Sequence, residues 1–155
     1  MSSIFERQRL KPSQLRTVAN RRYADARYLA DSGKNKHANG AMYVGGFVVE
    51  CLLKAKLIEK YPWLERHIDA AKLSVAEREI FYLCYRSHDL ERIIELLPEL
   101  SQNQTIVSGL SRLDETLQKI CGQWTIFARY STRSADIADA RDFLDEVGEL
   151  RSWLQ

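Results

Sequence analysis

The chain has 155 residues, enough for one domain with a single hydrophobic core. Apolar residues make up 45% of the sequence and charged residues 28%, which is ordinary for a folded, water-soluble domain. With 7 glycines and 3 prolines the chain is poor in turn-forming residues, which disfavours an all-β or loop-rich fold. Cys51, Cys84 and Cys121 are odd in number and far apart. They argue against a disulfide framework and indicate a reducing, cytoplasmic compartment with buried thiols.

The first two predicted helices occupy the N-terminal third of the chain. Apolar residues recur at helical spacing over residues 14–30, and Pro12 stands just ahead of the expected cap. A segment rich in glycine, asparagine and serine then interrupts the pattern. The second helix is predicted over residues 38–60, with its start at His37 or the next residue and its end before Pro62.

Two shorter helices are predicted in the middle of the chain. Ser74 and Glu77 have the spacing of a capping box and predict the start of the first one. The second is expected to open at Ser87 or His88 and to present leucine and isoleucine on one face. Pro98 should end or kink it.

Two further helices complete the predicted fold. An amphipathic helix is predicted over residues 106–121, with Gly122 as its stop, and a final helix should be capped by Ser134 and continue to Trp153. No segment has a convincing strand pattern. The sequence therefore predicts an all-α fold, an up-and-down bundle of five to six helices in a single domain over residues 1–155, with its core at about 14–153.

Charge and hydropathy bear on the environment of the chain. Residues 1–37 hold nine Lys/Arg and three Asp/Glu, whereas residues 134–155 hold six acids and two arginines. The basic N-terminal helix could face nucleic acid or nucleotide phosphates, but we favour an interpretation in which it packs beside the acidic last helix. The apolar run 40–53 is shorter than the roughly 20 residues that cross a bilayer, so we expect no membrane segment. The first eleven residues contain no apolar stretch, and we expect no secretion signal.

Glu50 stands in the middle of the most apolar segment of the sequence, with Lys54 one helical turn later. A buried, unpaired carboxylate is costly, so Glu50 should meet Lys54 and a basic or hydroxyl group from another helix. The candidate partners are Arg22, Arg27, Arg129 and Tyr130. Two roles remain open: a core ion pair that fixes helix register, or the polar floor of a binding pocket. No metal-ligand array or glycine-rich phosphate loop is present, so we expect no metal or cofactor.

Four motifs follow one another along the chain. A-x-x-L stands at residues 26–29, A-x-Y-V-G-G-F-V-V-E-C-L-L-K-A at 41–55, H-D-L at 88–90 and W-x4-R-Y at 124–130. In order and rough spacing these motifs resemble the HEPN superfamily, the higher eukaryotes and prokaryotes nucleotide-binding domain. Bacterial stand-alone members commonly show a small-residue pair followed by E-C-x-L-K-A. The resemblance covers about residues 14–153.

The resemblance implies a helical bundle that forms homodimers. Many members of the superfamily are partners of minimal nucleotidyltransferases in toxin–antitoxin pairs, and others are metal-independent ribonucleases in defence systems. The ribonuclease members carry R-x4-6-H, in which arginine steadies charge on the phosphate and histidine moves a proton. That spacing does not occur at His37, His67 or His88, although Arg86 stands two residues before the last.

Three hypotheses follow. The first is a HEPN-like module that binds a nucleotide, RNA or a partner protein through a groove formed by Glu50, Lys54, His88, Arg129 and Tyr130. The second is a metal-independent endoribonuclease that uses Arg86 and His88 as a non-standard pair. The third is a helical oligomerisation domain without a ligand and with a buried ion pair, in which His88 satisfies backbone groups or orients its neighbour.

Overall fold

The structure is a computed structural model that describes residues 9–66, 70–102 and 110–155. These residues form helices and connecting turns without any strand, so the predicted all-α helical bundle is confirmed. The α-helices, in chain order, are α1 Pro12–Asp31, α2 Ala38–Lys60, α3 Val75–Tyr85, α4 Leu90–Glu95, α5 Glu99–Gln102, α6 Leu110–Gln123 and α7 Ile137–Leu154. The α5 segment is a single turn, and the expected start of α6 at residue 106 lies outside the described residues. His67 also lies outside them.

Three of the predicted helix boundaries are confirmed. The second helix begins at Ala38 and ends at Lys60. Ser74 caps α3 with the complete capping box: its hydroxyl accepts a hydrogen bond from the Glu77 backbone N–H at 3.3 Å, and the Glu77 carboxylate accepts one from the Ser74 N–H at 2.8 Å. The reciprocal bonds satisfy two donors that the first helical turn would otherwise leave free. They also lower the pKa of Glu77.

Other helix starts differ from the prediction because a carboxylate one or two residues further along forms the cap. Asp136, not Ser134, caps α7 and accepts a hydrogen bond from the backbone N–H of Asp139 at 2.9 Å. Asp89 caps α4 in the same way, so neither Ser87 nor His88 does. At α1, Pro12 is itself the first helical residue, since proline needs no hydrogen-bond partner for its nitrogen there.

The predicted stop at Gly122 is wrong. The helix α6 continues through it to Gln123, and among the described residues only Gly33 has a positive φ. The following residue, Trp124, keeps its backbone N–H bonded to the Ile120 carbonyl oxygen at 2.8 Å while its side chain enters the core. Burial of the indole therefore holds the chain helical past the glycine.

The helix α2 is the centre of the bundle and packs mainly against α1 and α7. Thirteen of its residues are buried, which confirms the predicted central position. Gly45 and Gly46 allow neighbours to approach its backbone closely. A Cβ at Gly46 would lie 2.0 Å from the indole Nε1 of Trp124, and one at Gly45 would lie 2.6 Å from a methyl of Leu144.

The basic and acidic ends of the chain meet between α1 and α7. Arg27 of α1 forms an ion pair with Asp145 of α7 and stacks on the Tyr23 ring. Arg151 of α7 also lies over the Tyr23 ring, 4.5 Å from its centroid, and donates a hydrogen bond to Asn20 at 2.8 Å. The Arg27–Asp145 pair supports the interpretation that part of the positive charge of the N-terminal helix is neutralised within the molecule.

The three cysteines were expected to be buried free thiols. Cys84 and Cys121 are buried, Cys51 is half-buried, and all three are free thiols. Burial raises the pKa of Cys51 to about 11 and the pKa values of Cys84 and Cys121 to about 12. Within the described ranges, no helix combines the length and the apolar character that crossing a bilayer requires.

Replacing Gly46 by alanine should destabilise the fold, because the added methyl group overlaps the buried Trp124 ring. We expect a loss of about 3 kcal/mol or more in the free energy of unfolding, measured by urea denaturation. Gly40→Ala is the matched control on the same helix. Its Cβ would meet only a Leu29 methyl, at 3.8 Å, so the change should be neutral or stabilising by up to about 1 kcal/mol. Equal losses in the two variants would contradict the packing described for α2.

Candidate functional site

The site begins with a buried ion pair on α2. Glu50 and Lys54 lie one turn apart, and the Lys54 ammonium donates a hydrogen bond to Glu50 Oε1 at 2.7 Å. Only 9% of the Lys54 side chain and 6% of the Glu50 side chain are exposed. The prediction that Glu50 meets Lys54 is confirmed. Helical spacing alone brings the two groups to one face of the helix.

The loop between α3 and α4 supplies the remaining hydrogen bonds to this ion pair. His88 Nδ1 lies 3.0 Å from each oxygen of the Glu50 carboxylate. The Lys54 ammonium also donates to the Ser87 carbonyl oxygen at 2.8 Å. Two neighbouring residues of the loop are thus fixed to two charged groups of α2. This network fastens the loop to the central helix.

The predicted arginine or tyrosine partner of Glu50 is wrong, because His88 occupies that position. Each candidate has a different neighbour: Arg22 bonds Asp25, Arg27 bonds Tyr23 and Asp145, and Arg129 stacks over the Tyr130 ring at 4.7 Å. The order of helices along the chain could not reveal that a loop would bring a histidine to the carboxylate.

The His88 ring is held in one orientation at the surface. Nδ1 faces the Glu50 carboxylate, and an ionised carboxylate only accepts hydrogen bonds, so this contact favours the tautomer with its hydrogen on Nδ1. The Phe47 ring packs edge-on against the imidazole with a centroid distance of 6.0 Å. The His88 side chain is nevertheless 40% exposed. Nε2 is therefore the ring nitrogen left for a ligand, as in other histidines that a carboxylate orients.

A cleft of about 490 Å³ opens over this histidine. We call it the histidine cleft, and it lies between the α3–α4 loop, the start of α4 and the end of α6. Its polar and aromatic walls include Tyr82, Arg86, His88, Asp89, Glu91 and Trp124. The structure thus brings Arg86 and His88 to one cleft, and Lys54 and Glu50 lie beneath the histidine.

The charged side chains of the histidine cleft differ in whether they already form hydrogen bonds or ion pairs within the protein. Asp89 is occupied as the cap of α4, where it accepts from the Arg92 N–H at 3.1 Å. The side chains of Arg86 and Glu91 have no hydrogen bond or ion pair within the described residues. Those two opposite charges line the same cleft without pairing to each other.

Arg129 and Tyr130 do not line the histidine cleft. They belong to a turn of 3₁₀-helix, Ile126–Tyr130, where both side chains are exposed and stack on one another. Of the five ligand-binding residues predicted from the sequence, Glu50, Lys54 and His88 therefore contact one another. The other two, Arg129 and Tyr130, do not line the histidine cleft.

A second cleft, of about 550 Å³, lies on the other side of Trp124. We call it the asparagine cleft, because Asn39 fixes its rim: the amide donates to the Arg133 carbonyl oxygen at 2.7 Å and accepts from the Ala135 N–H at 2.8 Å. Tyr43 and Phe143 supply its apolar wall. Sequence reasoning missed this cleft, since it depends on a connector that crosses back over the start of α2.

The described part of the chain holds no group of three or more His, Cys, Asp or Glu residues that could bind a metal ion. Comparisons with protein-family models, with curated proteins and with solved structures found no match. The side chains that the site presents are an imidazole held by a carboxylate, a guanidinium and two carboxylates at the surface, over a buried ion pair.

Removing one member of the buried pair should destabilise the protein strongly. We expect Lys54→Met to cost about 3 kcal/mol of unfolding free energy, because it leaves the Glu50 carboxylate buried without its main counter-charge. The double variant Glu50→Gln/Lys54→Met should lose less than the sum of the two single variants. Denaturant titration of all four proteins gives the coupling energy. Additive losses would show that the pair does not act as a unit.

Proposed function

We propose that this protein is a HEPN-like module that binds a nucleotide, or one nucleotide of a single-stranded RNA, in the histidine cleft. Arg86 and His88 would receive the phosphate. The observation that carries the proposal is the Glu50 carboxylate, 3.0 Å from His88 Nδ1, which directs the opposite edge of an exposed imidazole to the cleft. The contact with Glu50 engages only Nδ1 of the imidazole, so the same residue that satisfies the buried carboxylate leaves Nε2 for a ligand.

The donor groups of the cleft suit a phosphate. The Arg86 guanidinium presents a fork of N–H donors that matches two phosphate oxygens, and within the described residues no carboxylate occupies it. His88 adds a donor at Nε2 whenever it is protonated. The Lys54 ammonium lies against the Glu50 carboxylate and offsets its charge, so the acid beneath the histidine does not repel an anion.

The charge balance of the cleft favours a short ligand. Asp89 and Glu91 stand in the same walls as Arg86 and His88, so the lining is not a continuous basic surface. A long polyanion gains affinity from rows of Lys and Arg that track its backbone. A cleft of about 490 Å³ instead matches the size range of sites for small molecules. We therefore propose that one nucleotide unit, with one phosphate at Arg86, fills it.

The resemblance to the HEPN superfamily supports the nucleotide class and supplies two proposed partners. One is a second copy of this chain, in a homodimer. The other is a protein that resembles a minimal nucleotidyltransferase and is encoded alongside. Both proposals are compatible with a ligand cleft that lies at the surface of the bundle, because a partner could then reach a bound nucleotide.

Nucleotide binding is measured by titration calorimetry with a panel of nucleoside monophosphates and a short single-stranded RNA. We expect binding by the unaltered chain and a loss of about tenfold or more in affinity for Arg86→Ala, since a charge-assisted hydrogen bond to phosphate is removed. Arg141→Ala is the control: Arg141 is an exposed arginine on α7 and does not line the cleft. It should bind as the unaltered chain does.

No binding of any nucleotide or RNA at millimolar concentration would overturn this proposal and leave the oligomerisation domain as the better description. Equal weakening by Arg86→Ala and Arg141→Ala would also contradict it, because it would indicate a diffuse charge effect rather than a site.

A second candidate function is a metal-independent endoribonuclease, and the shared cleft of Arg86 and His88 favours it. A carboxylate-oriented histidine can transfer a proton while an arginine stabilises charge on a phosphate. We expect such an enzyme to cleave RNA in the presence of EDTA, and His88→Ala to abolish the cleavage. His37→Ala, at the start of α2 and outside the cleft, should retain it. Cleavage that survives His88→Ala would exclude this pair as the catalytic groups.

A further inference from the structure

We infer that the histidine cleft selects guanine, with Glu91 accepting hydrogen bonds from the Watson–Crick edge of the base. This inference rests on the proposed function and names the ligand class of the same site. It starts from Glu91, a cleft carboxylate in the first turn of α4, where its charge also favours the helix dipole. Asp89 caps α4, whereas the Glu91 side chain has no hydrogen bond or ion pair within the described residues.

The Glu91 carboxylate packs against Gly122 on the facing helix α6. A Cβ at Gly122 would lie 3.0 Å from Glu91 Oε1, so the carboxylate rests against α6 where the glycine leaves room. Glu91 and Gly122 both line the histidine cleft, as does Arg86. The cleft thus presents an unpaired guanidinium and an unpaired carboxylate that do not meet each other. A complementary ligand carries an anionic group and, at a distance from it, hydrogen-bond donors.

Guanine is the base whose edge matches a carboxylate. Its N1–H and N2 amino group are adjacent donors, and they can bond to the two carboxylate oxygens in parallel. Adenine and cytosine each place a ring-nitrogen acceptor beside their amino group, and that lone pair would face a carboxylate oxygen. Uracil has a single N–H between two carbonyl groups. A carboxylate therefore discriminates among the four bases by charge and by the pattern of donors.

An exposed aromatic ring completes the arrangement. Tyr82 lines the same cleft, and the residue is 56% exposed. A tyrosine ring in that position can stack on the face of a purine, which adds affinity without choosing between purines. Stacking by Tyr82 and the bonds to Glu91 therefore have separable effects: the first sets affinity for a purine, and the second sets the choice of guanine.

The test compares GMP, IMP and AMP by titration calorimetry with the full chain. IMP lacks only the N2 amino group of GMP, so it removes one of the two bonds to Glu91. We expect GMP to bind about tenfold more tightly than IMP, and AMP to bind more weakly still. In Glu91→Gln the preference for GMP over IMP should fall to about twofold or less, because the neutral amide no longer offers two acceptor oxygens.

Two further variants separate the role of the carboxylate from general damage. Gly122→Ala adds a methyl group that pushes the flexible Glu91 side chain aside, so it should also reduce the GMP preference while leaving the thermal midpoint unchanged or higher. Glu65→Gln removes an exposed carboxylate that does not line the cleft and should leave the preference intact.

The outcomes distinguish the two proposals. Equal affinities for GMP, IMP and AMP, or a GMP preference that persists in Glu91→Gln, would overturn the guanine assignment while the nucleotide-binding function stood. Absence of binding by all three nucleotides would overturn both.

Discussion

The fold and the candidate site both depend on the burial of one carboxylate. Glu50 lies on the central helix with 6% of its side chain exposed, where an unpaired charge would be strongly destabilising. Lys54 supplies the counter-charge from the same helix, and His88 supplies the remaining hydrogen bond from the α3–α4 loop. The loop conformation is thus constrained by the electrostatics of the core. That constraint holds Arg86, His88 and Asp89 beside one another at the rim of a cleft.

Close packing one turn nearer the start of α2, on the same face as Glu50, shapes the same region. Gly46 admits the Trp124 ring against the helix backbone, and the indole N–H donates to the Tyr43 carbonyl oxygen at 3.2 Å. Phe47 contacts both Trp124 and His88, with ring centroids 5.1 and 6.0 Å apart. An aromatic layer therefore connects the glycine pair to the histidine. The rigidity of the site comes from packing as well as from charge.

The parts of this arrangement that follow from helical periodicity could be predicted from the sequence. The central position of α2 and the contact of Glu50 with Lys54 could be predicted because residues four apart share a helix face. The role of His88 could not, since it depends on how a loop folds back over α2. The expected arginine partners failed for the same reason: each found a nearer acidic or aromatic neighbour. Helix starts shifted where Asp89 or Asp136 competed with a serine for the cap.

Trp124 forms a wall common to the histidine cleft and the asparagine cleft. An indole that is only 6% exposed cannot rotate without disturbing both volumes at once. Thr125 lines both clefts as well, so a ligand that displaced the Trp124 ring from one side would change the shape of the other cleft. With Trp63 and Trp153 replaced by phenylalanine, the emission of Trp124 would report on such a displacement.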